Sequence, residues 1–444
     1  MAPHQSKHGA GQAPPATGRY KPCIFWPKRA RPIKLTHMKK AAPYICAIAT
    51  LFLLGMPARA SDWPQFLGPN RSGIAPDISM GDAPTLEPQW EQNVGIGYSG
   101  VAVVGNRAYT MGHDGAKTET LFALDAKTGE IIWSHAYTAD LIAKYHKGGP
   151  NATPTVAGDK LYVVSKDGQL FCMNTSDGSV VWQINLTKDL DVPLPAWGFA
   201  SSPLLRDGRL YMNAGHPFAL NADDGARVWA TPTKFVAGYS TAVLMQQKKA
   251  PVMLSLFGNQ VGVLRASDGE LLASQPIKAS WKVSAATPIV LDAAKGHFYV
   301  ATSKVGRAVR FDGSTLTTLW ETRAMKNNMN TCVLIGGHLY GVDGKHGSKG
   351  GKISCINATD GSLQWSEPLG AYGSLVATST HLLVLSEKGE LVIAKVDTTA
   401  FTPLLRRNIL DGTCWTPLSL ANDCLYARNE LGRVICLSLA QKTP

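Results

Sequence analysis

Nine residues able to grip a ligand recur at comparable places along the chain: Tyr98, His146, Asn151, Trp197, Tyr239, Trp281, Asn330, Tyr372 and Trp415. Each stands shortly before an apolar segment that opens on Ser or Thr, where a loop would enter a strand. Aromatic rings and carboxamides converging on one mouth suit the binding of a small ligand or a protein partner. Large residues that merely plug a mouth and cap strand ends would follow the same pattern, so the set specifies no particular ligand.

Acids are scarce in that set. No Asp or Glu stands immediately before any of these segments. Abstraction of a hydride or proton from an alcohol calls for a carboxylate base, and a bound calcium ion for several oxygen ligands. Asp140, Asp189 and Asp191 fall in longer loops nearby with nothing evident to pair them. His113, His216 and His346 recur by position, but in repeats one, three and six, too far apart around a ring to share a metal; solvated loop histidines are expected. The run Gly344-Lys345-His346-Gly347-Ser348-Lys349-Gly350-Gly351-Lys352 is rich in Gly and Lys. It opens no helix, and so it reads as an extended hairpin rather than a phosphate cradle. Neither a catalytic residue, a metal site nor a cofactor is expected from these residues.

Six cysteines follow residue 60. Cys172, Cys355 and Cys436 share one repeat position with Ala123, where a small side chain between packed sheets is expected and buried thiols suffice. Cys332, Cys414 and Cys424 show neither C-x-x-C nor zinc spacing, which leaves an isolated disulfide among them open in an oxidising compartment.

The elements that must position these residues are announced by Ala123-Leu124-Asp125-Ala126-Lys127-Thr128-Gly129-Glu130-Ile131-Ile132-Trp133. It reads as strand, tight turn, strand: Asp125 accepts backbone N–H bonds of the turn, and Gly129 takes its positive φ. The unit returns around Asp177-Gly178, Asp224-Gly225 and Asp360-Gly361, with degraded copies at Asp268-Gly269 and Asp312-Gly313. Its landmarks, Trp133, Trp182, Trp229, Ser274, Trp320 and Trp365, lie 45 to 49 residues apart. That period, filled by short apolar runs between turns, means propeller blades. Innermost strands opening near Ser99, Thr153, Ser202, Ser240, Thr287, Thr331, Ser374 and Thr416 make the count eight. The fold is therefore expected to be all-β, an eight-bladed β-propeller of four-stranded antiparallel blades spanning 86–440. The seventh blade lacks both Trp and the Asp-Gly turn, so a seven-bladed ring is the alternative. Residues 87–94, with Trp90, supply an outermost strand without predecessors, and the chain end supplies three strands without a fourth. The N-terminal strand should complete the last blade and remove the open edge.

Charge divides sharply at residue 60. The chain carries a formal +12, but residues 1–60 hold ten of the 44 basic residues and no acid, leaving 34 basic against 32 acidic beyond them. The bulk of the chain has no electrostatic case for binding nucleic acid. Met38-Lys39-Lys40, an apolar run over 41–56 and Ala58-Arg59-Ala60 read as a signal peptide over 38–60. Residues 1–37 read as a disordered or wrongly assigned extension, and 61–85 as an ordered arm laying Trp63 and Phe66 on the propeller, with a ligand plug as its other reading. A periplasmic or secreted monomer, not membrane-spanning once the signal is cleaved, is expected.

The repeat closely resembles the tryptophan-docking unit of the PQQ-like (quinoprotein-type) eight-bladed propellers, including their non-catalytic BamB-like branch. The opening Trp63-Pro64-Gln65-Phe66 through Arg71 looks like that of secreted members of unassigned function. The resemblance covers about 86–440 and implies the fold. It also implies PQQ with Ca²⁺ for the catalytic members, which add an adjacent Cys-Cys pair, a Glu/Asn/Asp set for calcium and, in some, a haem motif. None of these is found here, so no catalytic residue carries over. The reading is an exported, non-catalytic scaffold that binds a protein or ligand in the cell envelope; the alternative is a PQQ-dependent alcohol or sugar dehydrogenase.

Overall fold

Short apolar runs separated by Asp–Gly turns fold, in the computed structural model, into eight antiparallel sheets of four strands each. The structure describes residues 62–441 apart from Ser79, His346, Ser348 and Lys349. The expected extension, the signal peptide and His346 lie outside the described residues. Blade 1 comprises Ala102–Val104, Arg107–His113, Thr118–Asp125 and Ile131–Thr138. The innermost strands of blades 2 to 8 are Thr155–Ala157, Leu204–Arg206, Val243–Gln246, Ile289–Asp292, Val333–Ile335, Gly373–Thr378 and Ser419–Ala421. Blade 7 is complete, so the ring has eight blades. Pro84–Asn93 pairs with Arg433–Gln441, placing Trp90 opposite Cys436 as the outermost strand of blade 8.

One packing device repeats around the ring. The indole Nε1 of Trp90 donates to the Ala126 carbonyl of the next blade at 2.9 Å, Trp133 to Thr175 at 3.1 Å, Trp182 to Ala222 at 2.9 Å and Trp229 to Ala266 at 3.0 Å. Each ring lies on the turn glycine of that next blade: a Cβ on Gly129 would sit 2.6 Å from Trp90, and one on Gly225 2.8 Å from Trp182. The glycine therefore serves both the turn, with φ near +76° at Gly129, and the neighbour's indole. Asp125 Oδ1 accepts from the N–H groups of Lys127 and Thr128, as the motif requires.

Within each sheet the Trp faces a small residue: Ala123 opposite Trp133, Cys172 opposite Trp182, Cys355 opposite Trp365. This accounts for the three cysteines at one repeat position. In blade 4 the Trp position belongs to Ala273 and not to Ser274, one residue earlier than its spacing suggests, and the facing residue enlarges to Val263. Consistently, nothing lies over Gly313 in the following blade. In blade 7, Leu405 takes the position opposite Ile393.

Along the channel wall, hydroxyls tie neighbouring innermost strands. Ser202 Oγ accepts from Thr153 N–H at 2.9 Å, Thr241 Oγ1 from Ser202 N–H at 3.1 Å, and Thr331 Oγ1 from Thr287 N–H at 3.0 Å. The recurrent Ser/Thr that marks each blade's start is thus mortar between blades.

The arm does more than lie on the surface. Trp63 is buried and exchanges two backbone hydrogen bonds with Val103 of blade 1, while Phe66 is half-buried. Pro64 accepts from Val156 of blade 2, Arg71 Nη2 donates to Pro203 O of blade 3 at 3.0 Å, and Gly73 O accepts from Ala377 of blade 7. Blades 3 and 7 face each other across an eight-fold ring, so residues 71–73 must cross the channel. Ile74–Ala75 then adds a parallel fifth strand to blade 7. Burial lowers the pKa of Arg71 to about 9.

Candidate functional site

Loops entering the innermost strands share a face with the turns between second and third strands. Trp415, entering blade 8, donates its indole N–H to Glu387 Oε2 in the blade 7 turn at 3.2 Å. Tyr98, entering blade 1, stacks on Trp415 with centroids 5.4 Å apart and donates its hydroxyl to Glu430 Oε2 at 3.0 Å. His146 meets Tyr98 in a T-shaped contact at 5.6 Å. An unbroken arc, Glu387–Trp415–Tyr98–His146, therefore spans the entrances of blades 8, 1 and 2. Burial and the adjacent Glu430 carboxylate push the Tyr98 pKa up, keeping the phenol a donor.

A second cluster continues the arc. Asn151 Nδ2 reaches Trp197 O at 3.5 Å, Trp197 packs against Tyr239 at 5.6 Å, and the Lys144 ammonium stands 6.0 Å over the Trp197 ring. The remaining three expected residues behave differently. Asn330 is buried, donating to the carbonyls of Val342 and Gly373 and accepting from Asn327. Tyr372 is buried, its hydroxyl accepting from Met329 N–H at 2.9 Å. Trp281 turns outward on a short 3₁₀ turn and contributes nothing to the mouth's wall.

Carboxylates do reach the mouth, by a route other than the entering loops. They ride on turns of one design: Ser386-Glu387-Lys388-Gly389 and Asn429-Glu430-Leu431-Gly432, with Lys166 presented the same way by Ser165-Lys166-Asp167-Gly168. In each, the leading Ser or Asn side chain accepts the backbone N–H four residues on: Gln169 at 2.8 Å, Glu390 at 3.1 Å and Arg433 at 3.0 Å. That Ser/Asn–charged–x–Gly pattern is the sequence signal through which these residues could have been found.

Lys166 is wholly buried, its Nζ without a hydrogen-bond partner, and Gly198 lies directly over its stem. Glu119, from the third strand of blade 1, is also buried; its Oε1 accepts from the Tyr137 hydroxyl at 2.5 Å and its Oε2 from Lys166 N–H at 3.4 Å. Burial raises the Glu119 pKa to about 8 and lowers that of Lys166 to about 7. Burial, with the nearby Lys166 charge, lowers His146 to about 4. Because the folded Glu119 holds its proton above its ordinary value of 4.5, its contribution to stability is complete below that value and declines as pH rises towards 8. Lys166 acts in the opposite sense only above about pH 7. His146 opposes this decline between about pH 4 and 6.5, so the readout is the difference between the proteins: Glu119→Gln, which keeps an acceptor for Tyr137 but cannot ionise, should gain thermal stability relative to wild type as pH rises from 4.5 to 7. Equal slopes in the two proteins would refute the assignment.

Two loop expectations are corrected. His113 is buried, its Nε2 at 3.0 Å from Ala139 O and its Nδ1 accepting from Gly115 N–H, so it staples a loop and is not solvated. Asp140 pairs with Lys117 at 2.6 Å, and Asp191 with Lys234 at 3.9 Å, while Asp189 accepts from Asn185 N–H. Cys424 lies beside Cys436 on adjacent strands, since Tyr426 pairs with Cys436 and Cys424 with Ser438, and Cys332, Cys414 and Cys424 are all free thiols in the structure.

The family model for outer membrane protein assembly factor BamB matches residues 76–195, 144–367 and 281–443. A comparison with curated proteins found no match. Among solved structures, BamB from Moraxella catarrhalis is similar at 15% identity and a TM-score of 0.57, over 80% of this chain and 100% of that one. A quinohemoprotein alcohol dehydrogenase from Pseudomonas putida HK5 is similar at 12% identity and a TM-score of 0.60, over 86% and 81%. The computationally designed Ika8 protein is similar at 14% identity and 0.54, over 80% and 99%. At such identities the likeness is one of fold, shared by chains of different purpose.

Proposed function

The chain belongs to the outer membrane protein assembly factor BamB family, and from that premise we propose that it is an exported, non-catalytic propeller serving as a binding scaffold in the cell envelope. Its collar takes a protein partner or a ligand; an assembly role of the kind the family's name describes is the protein-binding form of this reading. The observation that carries it is the arc Glu387–Trp415–Tyr98–His146. Its rings are already stacked and its carboxylates already hold donors. Such pre-ordered aromatic groups bind at little entropic cost.

A quinone held over calcium does not fit these residues. One face of Trp415 is covered by Tyr98. Glu387 accepts from Gly347 N–H at 2.9 and 3.0 Å as well as from Trp415, and Glu430 is engaged by Tyr98. The dehydrogenase alternative draws support from fold likeness alone, and no cofactor is proposed.

Affinity capture from an envelope fraction tests the scaffold. Wild type should retain a partner that Tyr98→Ala and Trp415→Ala lose, with both variants still folded; retention by both would move the interface off the collar. In parallel, protein mixed with Ca²⁺ and PQQ should not reduce dye with alcohols or sugars. Dye reduction would favour the dehydrogenase.

A further inference from the structure

Two aromatic side chains on the collar face stand almost wholly in water. Trp281 is 93% exposed and Tyr145 90% exposed. Both occupy left-handed backbone, with φ of 57° and 61°, a conformation that bulky residues adopt only at a cost. The loop bearing Trp281 is nonetheless anchored: Ser280 N–H donates to Ser303 Oγ at 3.0 Å, and Thr302 Oγ1 donates to Lys278 O at 2.6 Å. Between the two tips, the loops entering blades 3 and 4 expose Leu194 and Val236. Four consecutive entrance loops thus each raise one apolar side chain.

Cations accompany the tips. Lys144 and Lys147 flank Tyr145, and exposed Lys278, Lys282 and Lys304 surround Trp281. None of these five forms an ion pair among the described residues. On the opposite side of the same face the charges are spent: Glu387 is buried and accepts from Trp415, Glu430 accepts from Tyr98, and Asp411 pairs with Arg433 at 3.5 Å.

We propose that this crescent, from Tyr145 to Trp281, docks the propeller on an anionic lipid surface. Isolated rings on separate loops, three blades apart, form no groove into which a folded partner would pack. They suit a fluid interface, which conforms to any relief and which Trp and Tyr prefer at headgroup depth. The unpaired lysines supply the attraction to anionic headgroups. The inference stands independently of what the collar binds.

Sedimentation with phosphatidylcholine vesicles, with and without phosphatidylglycerol, tests it. The chain from Ser61 onward is used, since its sheets close on themselves without residues 1–60. It should sediment with phosphatidylglycerol vesicles at low salt and not with phosphatidylcholine alone. The triple charge reversal of Lys278, Lys282 and Lys304 to Glu should weaken binding at least about tenfold. Trp281→Ser should abolish quenching of tryptophan emission by brominated lipid while leaving thermal unfolding unchanged. Binding independent of phosphatidylglycerol, or unaltered in both variants, would overturn the proposal. So would failure to bind vesicles combined with binding of polyglutamate, which would reassign the crescent to an acidic protein. Failure to bind either probe would also overturn it.

Discussion

Trp182→Ala should lower folding stability by roughly 3–5 kcal/mol, the usual range for deleting a buried indole. Trp182 fills the seam between blades 2 and 3. Its Nε1 donates to Ala222 O at 2.9 Å, its ring lies on Gly225, and Tyr162 packs against it at 6.1 Å. Removing it leaves a cavity and orphans a carbonyl. Neither neighbour can close the gap, because both blades are held by the rest of the ring. Denaturant unfolding measures the loss, and a value below about 1 kcal/mol would mean that the indole is no wedge. Phenylalanine at the same position should recover most of the packing and none of the hydrogen bond.

Arg428→Ala should cost roughly 2–4 kcal/mol, concentrated where the ring closes. Arg428 is completely buried on the second strand of blade 8, and its guanidinium reaches into blade 1. Nη1 donates to Ser99 O at 3.1 Å, Thr110 Oγ1 at 3.2 Å and Met111 O at 2.7 Å, and Nη2 donates to Gly95 O at 3.1 Å. Two effects oppose one another. Burial disfavours the charge, lowering its pKa to about 9, so deleting it brings relief. Deletion also takes a donor from Met111 O, Gly95 O, Ser99 O and Thr110 Oγ1, of which Ser99 O and Thr110 Oγ1 keep each other, and the lost bonds dominate because no side chain nearby can replace a five-donor fork. Hydrogen exchange should accelerate at residues 95–111 before it does elsewhere. Protection that fell evenly around the ring would argue that Arg428 is ordinary core. Lysine should rescue little, since a single ammonium cannot span acceptors on two strands.

The architecture was legible because the repeat states its own packing. Asp–Gly turns, the Trp that follows them and the 45- to 49-residue period are local signals, and a blade with an unburied indole has few ways to satisfy it other than a neighbour. Ring closure was legible for a related reason: Trp90 without preceding strands and Cys436 without a following one are complementary defects. Substitution blurred the rest. In blade 4 the bulk passed from the Trp position to Val263, so spacing alone chose Ser274 over Ala273.

What the sequence determined by itself, then, was a closed ring of tryptophan-docked sheets and the loops that would line its mouth, while the completeness of blade 7 set the count at eight. The ring and its loops follow from periodicity and from turns only a few residues long. Tertiary structure alone decided which side chains meet. It brought Glu387, Glu430 and Lys166 to the mouth from turns distant in sequence, and it buried His113, Asn330 and Tyr372. It also turned Trp281 out into water and drew residues 71–73 across the channel from blade 3 to blade 7. The physical reason is that a contact between blades depends on side-chain direction and on burial from both sides, and neither is written in the spacing of a single strand.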